Sequence, residues 1–312
     1  MGVVSDPIDE FSFLAEQAAD TGITGPLPRD ERLAVDLADG RTLSALRYGD
    51  GAPVVTFLHG AGLNAHTWDR TILALGLPAL AIDLPGHGDS SWRDDMAYVA
   101  PVLAPDVATG MDAWTTGPQV LVGQSLGGLT AAAVAASRPD LVASLIIVDI
   151  TPGIDPNGGA SQIREFFAGP TDWASRDELV ERALSFGLGG SPEAAARGVY
   201  FNSRIRPDGR VEWKHHFAHL ANAMSTAGID AAPQPDAVAA VLGEAGWADL
   251  AAVTAPVTLI RGDHGYVTDS DAAVFAERVP GASIVVAASG HNVQEELPLE
   301  LGALVRAEAG KG

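Results

Sequence analysis

The chain has 312 residues, 47% of them hydrophobic, enough for one large α/β domain with a sizeable insertion. Acidic residues outnumber basic ones 40 to 19, a formal charge of −21, and that field disfavours nucleic acid, anionic membrane surfaces and strongly anionic substrates. There is no cysteine, which excludes disulfides, a thiolate nucleophile and thiolate metal sites. No apolar run reaches the length of a membrane span, and the acidic stretch Met1–Glu10 lacks the basic and apolar regions of a signal peptide, so a cytoplasmic location is expected.

Residues 1–30 read as a loosely attached lead-in with one short helix over Glu10–Ala19. Strand-like runs follow at Leu33–Leu37 and Leu43–Tyr48, joined across an Asp39-Gly40 pair that signals a hairpin. Val54–Leu58, Ala79–Ile82, Gln119–Val122 and Leu145–Val148 are short apolar strands, and Leu126–Ala136 has the length of a helix. After a long interruption the alternation resumes with strand Val257–Ile260, a helix near Asp271–Arg278, strand Ile284–Ala287 and a closing helix after His291. Fully apolar strands separated by helices predict a mostly parallel sheet covered on both faces. Residues 31–150 and 248–312 are thus expected to form the core, with 151–247 a helical cap over a site. That segment shows no convincing strand. Its aromatics (among them Phe166, Phe167, Trp173, Phe201, Trp213 and Phe217) should mostly form a small core of their own, with two or three left to line a pocket.

The chemistry is carried first by Gly123-Gln124-Ser125-Leu126-Gly127-Gly128, directly after a strand and directly before a helix. A serine here must be pushed out above the sheet edge on a strained turn, and the flanking glycines leave room for that turn. The following helix points its partial positive end at the reacting centre. The second signal is His59-Gly60-Ala61-Gly62 at the end of a strand. Attack on a carbonyl builds charge on oxygen, which aimed backbone N–H groups can hold, and the amides of Ala61 and Leu126 are the expected donors. His59 itself reads as a structural hydrogen-bonding residue.

In order along the chain, HGAG, DLPGHGDS (Asp83–Ser90), GQSLGG and a late Gly290-His291 resemble the α/β-hydrolase superfamily over roughly residues 30 to 308. Val148-Asp149-Ile150-Thr151-Pro152 is similar to a VDxTP stretch of capped actinobacterial esterases. The resemblance implies an eight-stranded, mostly parallel sheet flanked by helices, with the cap inserted after the sixth strand. It also implies Ser125 as nucleophile and His291 as general base. The acid departs from the common pattern. The position that usually holds an Asp after the seventh strand is Gly265 here, with Asp263 two residues earlier. Asp149, ending the sixth strand, is therefore the preferred acid. Asp263 is its alternative, Asp269 stands further off, and a Ser–His dyad is the remaining case.

His87 reads as a loop-holding residue. His215 and His219 have the i, i+4 spacing of a helical metal pair, but no carboxylate stands at motif spacing, which favours packing. The expectation is a carboxylesterase-type serine hydrolase acting on small to medium, uncharged ester substrates through an acyl-enzyme, with no metal or organic cofactor. Lactone, amide, thioester or C–C bond hydrolysis could run on the same Ser–His machinery. A perhydrolase or cofactor-free haloperoxidase side activity, and a ligand-binding sensor built on this fold, are further alternatives.

Overall fold

A computed structural model of the chain describes residues 9–154, 165–167, 169–186, 188–226 and 244–311. Its strands are β1 (Asp30–Asp36), β2 (Thr42–Tyr48), β3 (Val55–Leu58), β4 (Ala79–Asp83), β5 (Gln119–Gln124) and β6 (Val142–Val148). They continue with β7 (Asp172–Trp173), β8 (Ser203–Ile205), β9 (Val211–Trp213), β10 (Val257–Gly262) and β11 (Ser283–Ala287). Eight of them form one sheet in the order β1-β2-β4-β3-β5-β6-β10-β11. Only the β1–β2 and β2–β4 pairings in it are antiparallel.

The central strands are apolar on both faces because both faces are covered. Along β5, Leu121 packs to one side, and Val120 and Val122 to the other. In β6, Leu145 and Ile147 oppose Ile146 and Val148 in the same way. The first face is closed by helices Ala100–Trp114, Leu126–Ser137, Gly246–Ala252 and Asp269–Arg278, and the second by Leu14–Asp20, Asp69–Leu75 and Pro298–Ala309. Each fully buried Leu or Val of these layers contributes about 1.5–3 kcal/mol relative to exposure.

Strand β5 passes into its helix through a single residue, Ser125, at φ 54° and ψ −122°. The turn is tight enough that a Cβ on Gly123 would lie 2.2 Å from the Gly127 carbonyl oxygen, and one on Gly127 would lie 2.3 Å from that of Leu58. Parallel pairing of β3, β5, β6, β10 and β11 gathers their carboxyl ends at one sheet edge, where a site is expected in open α/β sheets.

Two expectations are corrected. The insert between β6 and β10 is not purely helical. Beside helices Arg176–Ser185, Pro192–Asn202 and Phe217–Thr226 it carries an antiparallel sheet in the order β7-β9-β8. These strands have only two or three residues each, too few to show a period in sequence. Trp173, Leu179, Val199, Val211 and Trp213 make the insert's own core, as anticipated for its aromatics, whereas Phe167 and Phe217 join the main core. The described part of the lead-in is also not loose. Leu14 and Gln17 are buried, Glu10 pairs with Arg32 at 2.6 Å, and Glu16 pairs with Arg197 of the insert at 2.6 Å.

Candidate active site

The site is assembled from loops at the carboxyl ends of β3, β5, β6, β10 and β11. Asp149 directly follows β6, its amide bonded to the Ile260 carbonyl at 2.7 Å and its backbone held at φ 47°. Ser125 and Asp149 are two of only three non-glycine residues with positive φ among those described. Such conformations cost about 1–3 kcal/mol each and persist where the surroundings over-determine them. Here each is tied by its N–H to the neighbouring strand, Ser125 to the Val148 carbonyl at 3.1 Å and Asp149 to that of Ile260.

The Asp149 side chain is fully buried and accepts three hydrogen bonds. Oδ1 takes the Gly262 N–H at 3.0 Å, and Oδ2 takes the Tyr266 N–H at 2.6 Å and lies 2.8 Å from His291 Nδ1. Since a carboxylate only accepts, the proton of His291 sits on Nδ1 and leaves Nε2 with its lone pair free. The Tyr266 ring stacks on the imidazole at 3.6 Å and 13°, fixing its plane. A Cβ on Gly265 would lie 2.4 Å from both Asp149 carboxylate oxygens. The carboxylate coming from β6 thus fills the space that a side chain at position 265 would need.

Gln124, the residue before the elbow, ties the histidine loop to it: its Nε2 donates to the His291 carbonyl and to Asn292 Oδ1, both at 3.3 Å. The Ser125 hydroxyl and His291 Nε2 have no hydrogen bond among the described residues. Contacts of this kind commonly tighten only when substrate is bound. The His59–Gly62 loop lies against the elbow: a Cβ on Gly60 would be 3.2 Å from Ser125 Cβ and 2.1 Å from Gln124 Oε1. The amides of Ala61 and Leu126 have no acceptor among the described residues, so both are available to an incoming oxygen.

The remaining sequence candidates lie elsewhere. Asp263 pairs with its neighbour His264, both side chains at least half exposed, and Asp269 pairs with Arg261. His59 is buried. Its Nδ1 donates to the Gly60 carbonyl at 2.8 Å and its Nε2 accepts the Leu84 N–H at 3.0 Å, and burial lowers its pKa to about 4. His87 bonds Pro85 through Nδ1 at 3.1 Å. His216 meets the Tyr98 hydroxyl at 2.7 Å, whereas His215 lies between Trp213 and Phe167. A cavity of about 650 Å³ lies beside the site, lined by Gly62 and Asn292, the residues after Ala61 and His291, and by Phe166, Phe201, Trp213 and His215 among others.

Three contributors were not anticipated. Gln124 was visible only as the variable residue of a glycine pattern, and Tyr266 only as a neighbour of Gly265. His66 lies between Asp69 and Glu10, each about 3 Å from a ring nitrogen, and stacks on Phe201 at 3.9 Å. Burial alone would lower its pKa, but the two carboxylates outweigh burial and raise it to about 9.

An eight-stranded sheet with this elbow and a carboxylate–imidazole pair at its edge defines a hydrolase of the α/β type. The chain belongs to the alpha/beta hydrolase family, whose model matches residues 57–303. It is 37% identical over 308 residues to esterase Rv0045c of Mycobacterium tuberculosis, covering 96% of this chain and 95% of that protein. Lipase LipV of the same organism is 28% identical, across 86% of this chain and 98% of its own. The crystal structure of esterase Rv0045c superimposes with a TM-score of 0.79 at 36% identity, over 97% of this chain and 98% of that one.

Proposed function

We propose that the protein hydrolyses carboxylic esters of small to medium, uncharged substrates through an acyl-enzyme on Ser125. The observation that carries this reading is the buried Asp149–His291 hydrogen bond of 2.8 Å, clamped through Gln124 to an elbow that presents Ser125. The Ser125 hydroxyl gives its proton to His291 Nε2 as Oγ attacks the ester carbonyl carbon. The amides of Ala61 and Leu126 hold the resulting oxyanion, and Asp149 offsets the charge on the imidazolium. His291 returns the proton to the departing alkoxide, leaving the acyl group on Ser125. A water then gives its proton to Nε2, attacks the acyl carbon and releases the acid, with the proton passing back to Oγ. The relatives named as an esterase and a lipase support the same class of bond.

The test is hydrolysis of p-nitrophenyl esters of graded acyl length by wild type and by Ser125→Ala. The variant should keep the fold and lose several powers of ten in kcat. Retention of even a tenth of wild-type turnover would overturn the assignment.

A further inference from the structure

Tyr266 serves both partners of the Asp149–His291 pair. Its backbone N–H donates to Asp149 Oδ2 at 2.6 Å, while its ring lies on the His291 imidazole, the centroids 3.6 Å apart and the planes 13° from parallel. The short loop that carries it is held on both sides. Val267, the next residue, is buried in the main core, and its carbonyl accepts from Arg261 Nη1 at 3.1 Å. Thr268 then caps helix Asp269–Arg278 in a reciprocal arrangement with Asp271. Burial and the charge of Asp149 raise the Tyr266 phenol to about 12, so near neutral pH the ring is an uncharged aromatic and not a phenolate.

The face of such a ring carries negative potential, which attracts a cation and has no comparable hold on a neutral ring. In the proposed reaction His291 passes between those two states. It is neutral when substrate arrives and an imidazolium while the oxyanion exists. The packing of the two rings is the same in both states and adds nothing to the rate. Only the part of the interaction that grows with the charge lowers the barrier. Asp149 meets that charge in the ring plane, at Nδ1, and the Tyr266 face meets it perpendicular to the plane.

We propose that Tyr266 is a positioning residue that acts through His291: its ring face stabilises the imidazolium and so speeds formation of the acyl-enzyme. The inference rests on the Ser125–His291 reading above and adds no step to that reaction.

The experiment replaces Tyr266 by phenylalanine and by its 4-fluoro, 3,5-difluoro and 3,4,5-trifluoro analogues, introduced at a reassigned stop codon. Each fluorine withdraws negative potential from the ring face and nearly preserves its shape, so packing alone gives no trend. On p-nitrophenyl butyrate, Tyr266→Phe should stay within about threefold of wild type in kcat/KM. Successive fluorines should then lower kcat/KM stepwise, by about threefold to thirtyfold across the series. The inhibition constant of butaneboronic acid, whose tetrahedral adduct on Ser125 stands beside the imidazolium, should rise in the same order while Tm stays level. Where the fluorinated proteins misfold, Tyr266→Leu, which has no aromatic face, should show at least the full loss that Tyr266→Phe avoids. A series flat in either measurement, or Tyr266→Phe losing as much as Tyr266→Leu, overturns the inference and leaves Ser125 and His291 in place. Failure of wild type to cleave any ester, acetate included, overturns the hydrolase reading itself.

Discussion

The sharpest perturbation is exchange of the acid between positions 149 and 265. Asp149→Asn keeps the shape but meets three donors, the Gly262 and Tyr266 amides and His291 Nδ1–H, with a single oxygen. With the amide oxygen at the Oδ2 site, its NH2 opposes the Gly262 N–H. With the amide reversed, its NH2 opposes the Tyr266 N–H and forces the wrong tautomer on His291. Either way one buried donor loses its partner, at about 1–3 kcal/mol, and no negative charge faces the imidazolium. The expected loss in kcat is about three to four powers of ten, or about 4–5.5 kcal/mol of barrier. Gly265→Asp alone should be destabilising, since its Cβ would lie 2.4 Å from each Asp149 oxygen, and for the same reason it should not rescue Asp149→Asn. Asp149→Gly empties that space and suits φ 47°, so the double variant Asp149→Gly/Gly265→Asp should recover activity relative to Asp149→Gly. The assay is kcat on p-nitrophenyl butyrate with Tm for each protein, and Asp263→Asn as the exposed control. Asp149→Asn within tenfold of wild type would refute the role of this carboxylate. A double variant no better than Asp149→Gly would refute the equivalence of the two positions.

His66 sets a pH dependence. Its folded-state pKa of about 9 stands above the ordinary value near 6.5, so its stabilisation is complete below about pH 6.5 and is lost as pH rises through 9. The shift corresponds to about 3 kcal/mol, so urea unfolding at pH 6.5 and 9.5 should show wild type losing that much more than His66→Gln. Equal losses would remove His66 from the account. Gly127→Ala drives a Cβ to 2.3 Å from the Leu58 oxygen and 2.5 Å from that of His59, both main chain, and should cost about 1–3 kcal/mol or more. Gly198→Ala, with open space at its Cβ inside helix Pro192–Asn202, should be neutral or slightly stabilising, and matching Tm values for the two would contradict the packing argument.

The core of this fold was legible because its signals are local. Strands buried on both faces must be apolar throughout, and the Ser125 turn needs glycines on either side whatever the rest of the chain does. His291 was legible because the order of turns along the chain resembled a known pattern. Asp149 is reached differently. The contacts that favour it over Asp263 as the proposed acid come from Gly262, Tyr266 and His291, between 113 and 142 residues away. Sequence offered the vacancy at Gly265 and the VDxTP stretch around Asp149, but the physical meaning of the vacancy, that the carboxylate already occupies that volume, emerges only in three dimensions. The small sheet of the insert was hidden by its brevity. The burial of Gln17 was hidden because its partner, Asp69 at 2.9 Å, lies 52 residues away.

The amino-terminal segment shares in the cavity wall through Gln17, and Phe13 backs the wall residue Phe201, its ring meeting Tyr200 and Phe201 at 5.3 Å. Described residues that precede the first strand thus help shape the cavity, while none of them has a hydrogen bond, ion pair or ring contact with Ser125, His291 or Asp149 among the described residues. Divergence between lineages can therefore retune which esters fit by altering a stretch of chain that conventional trimming of an expression clone would discard first. Two homologues with identical catalytic loops need not share a diet if their leading helices differ.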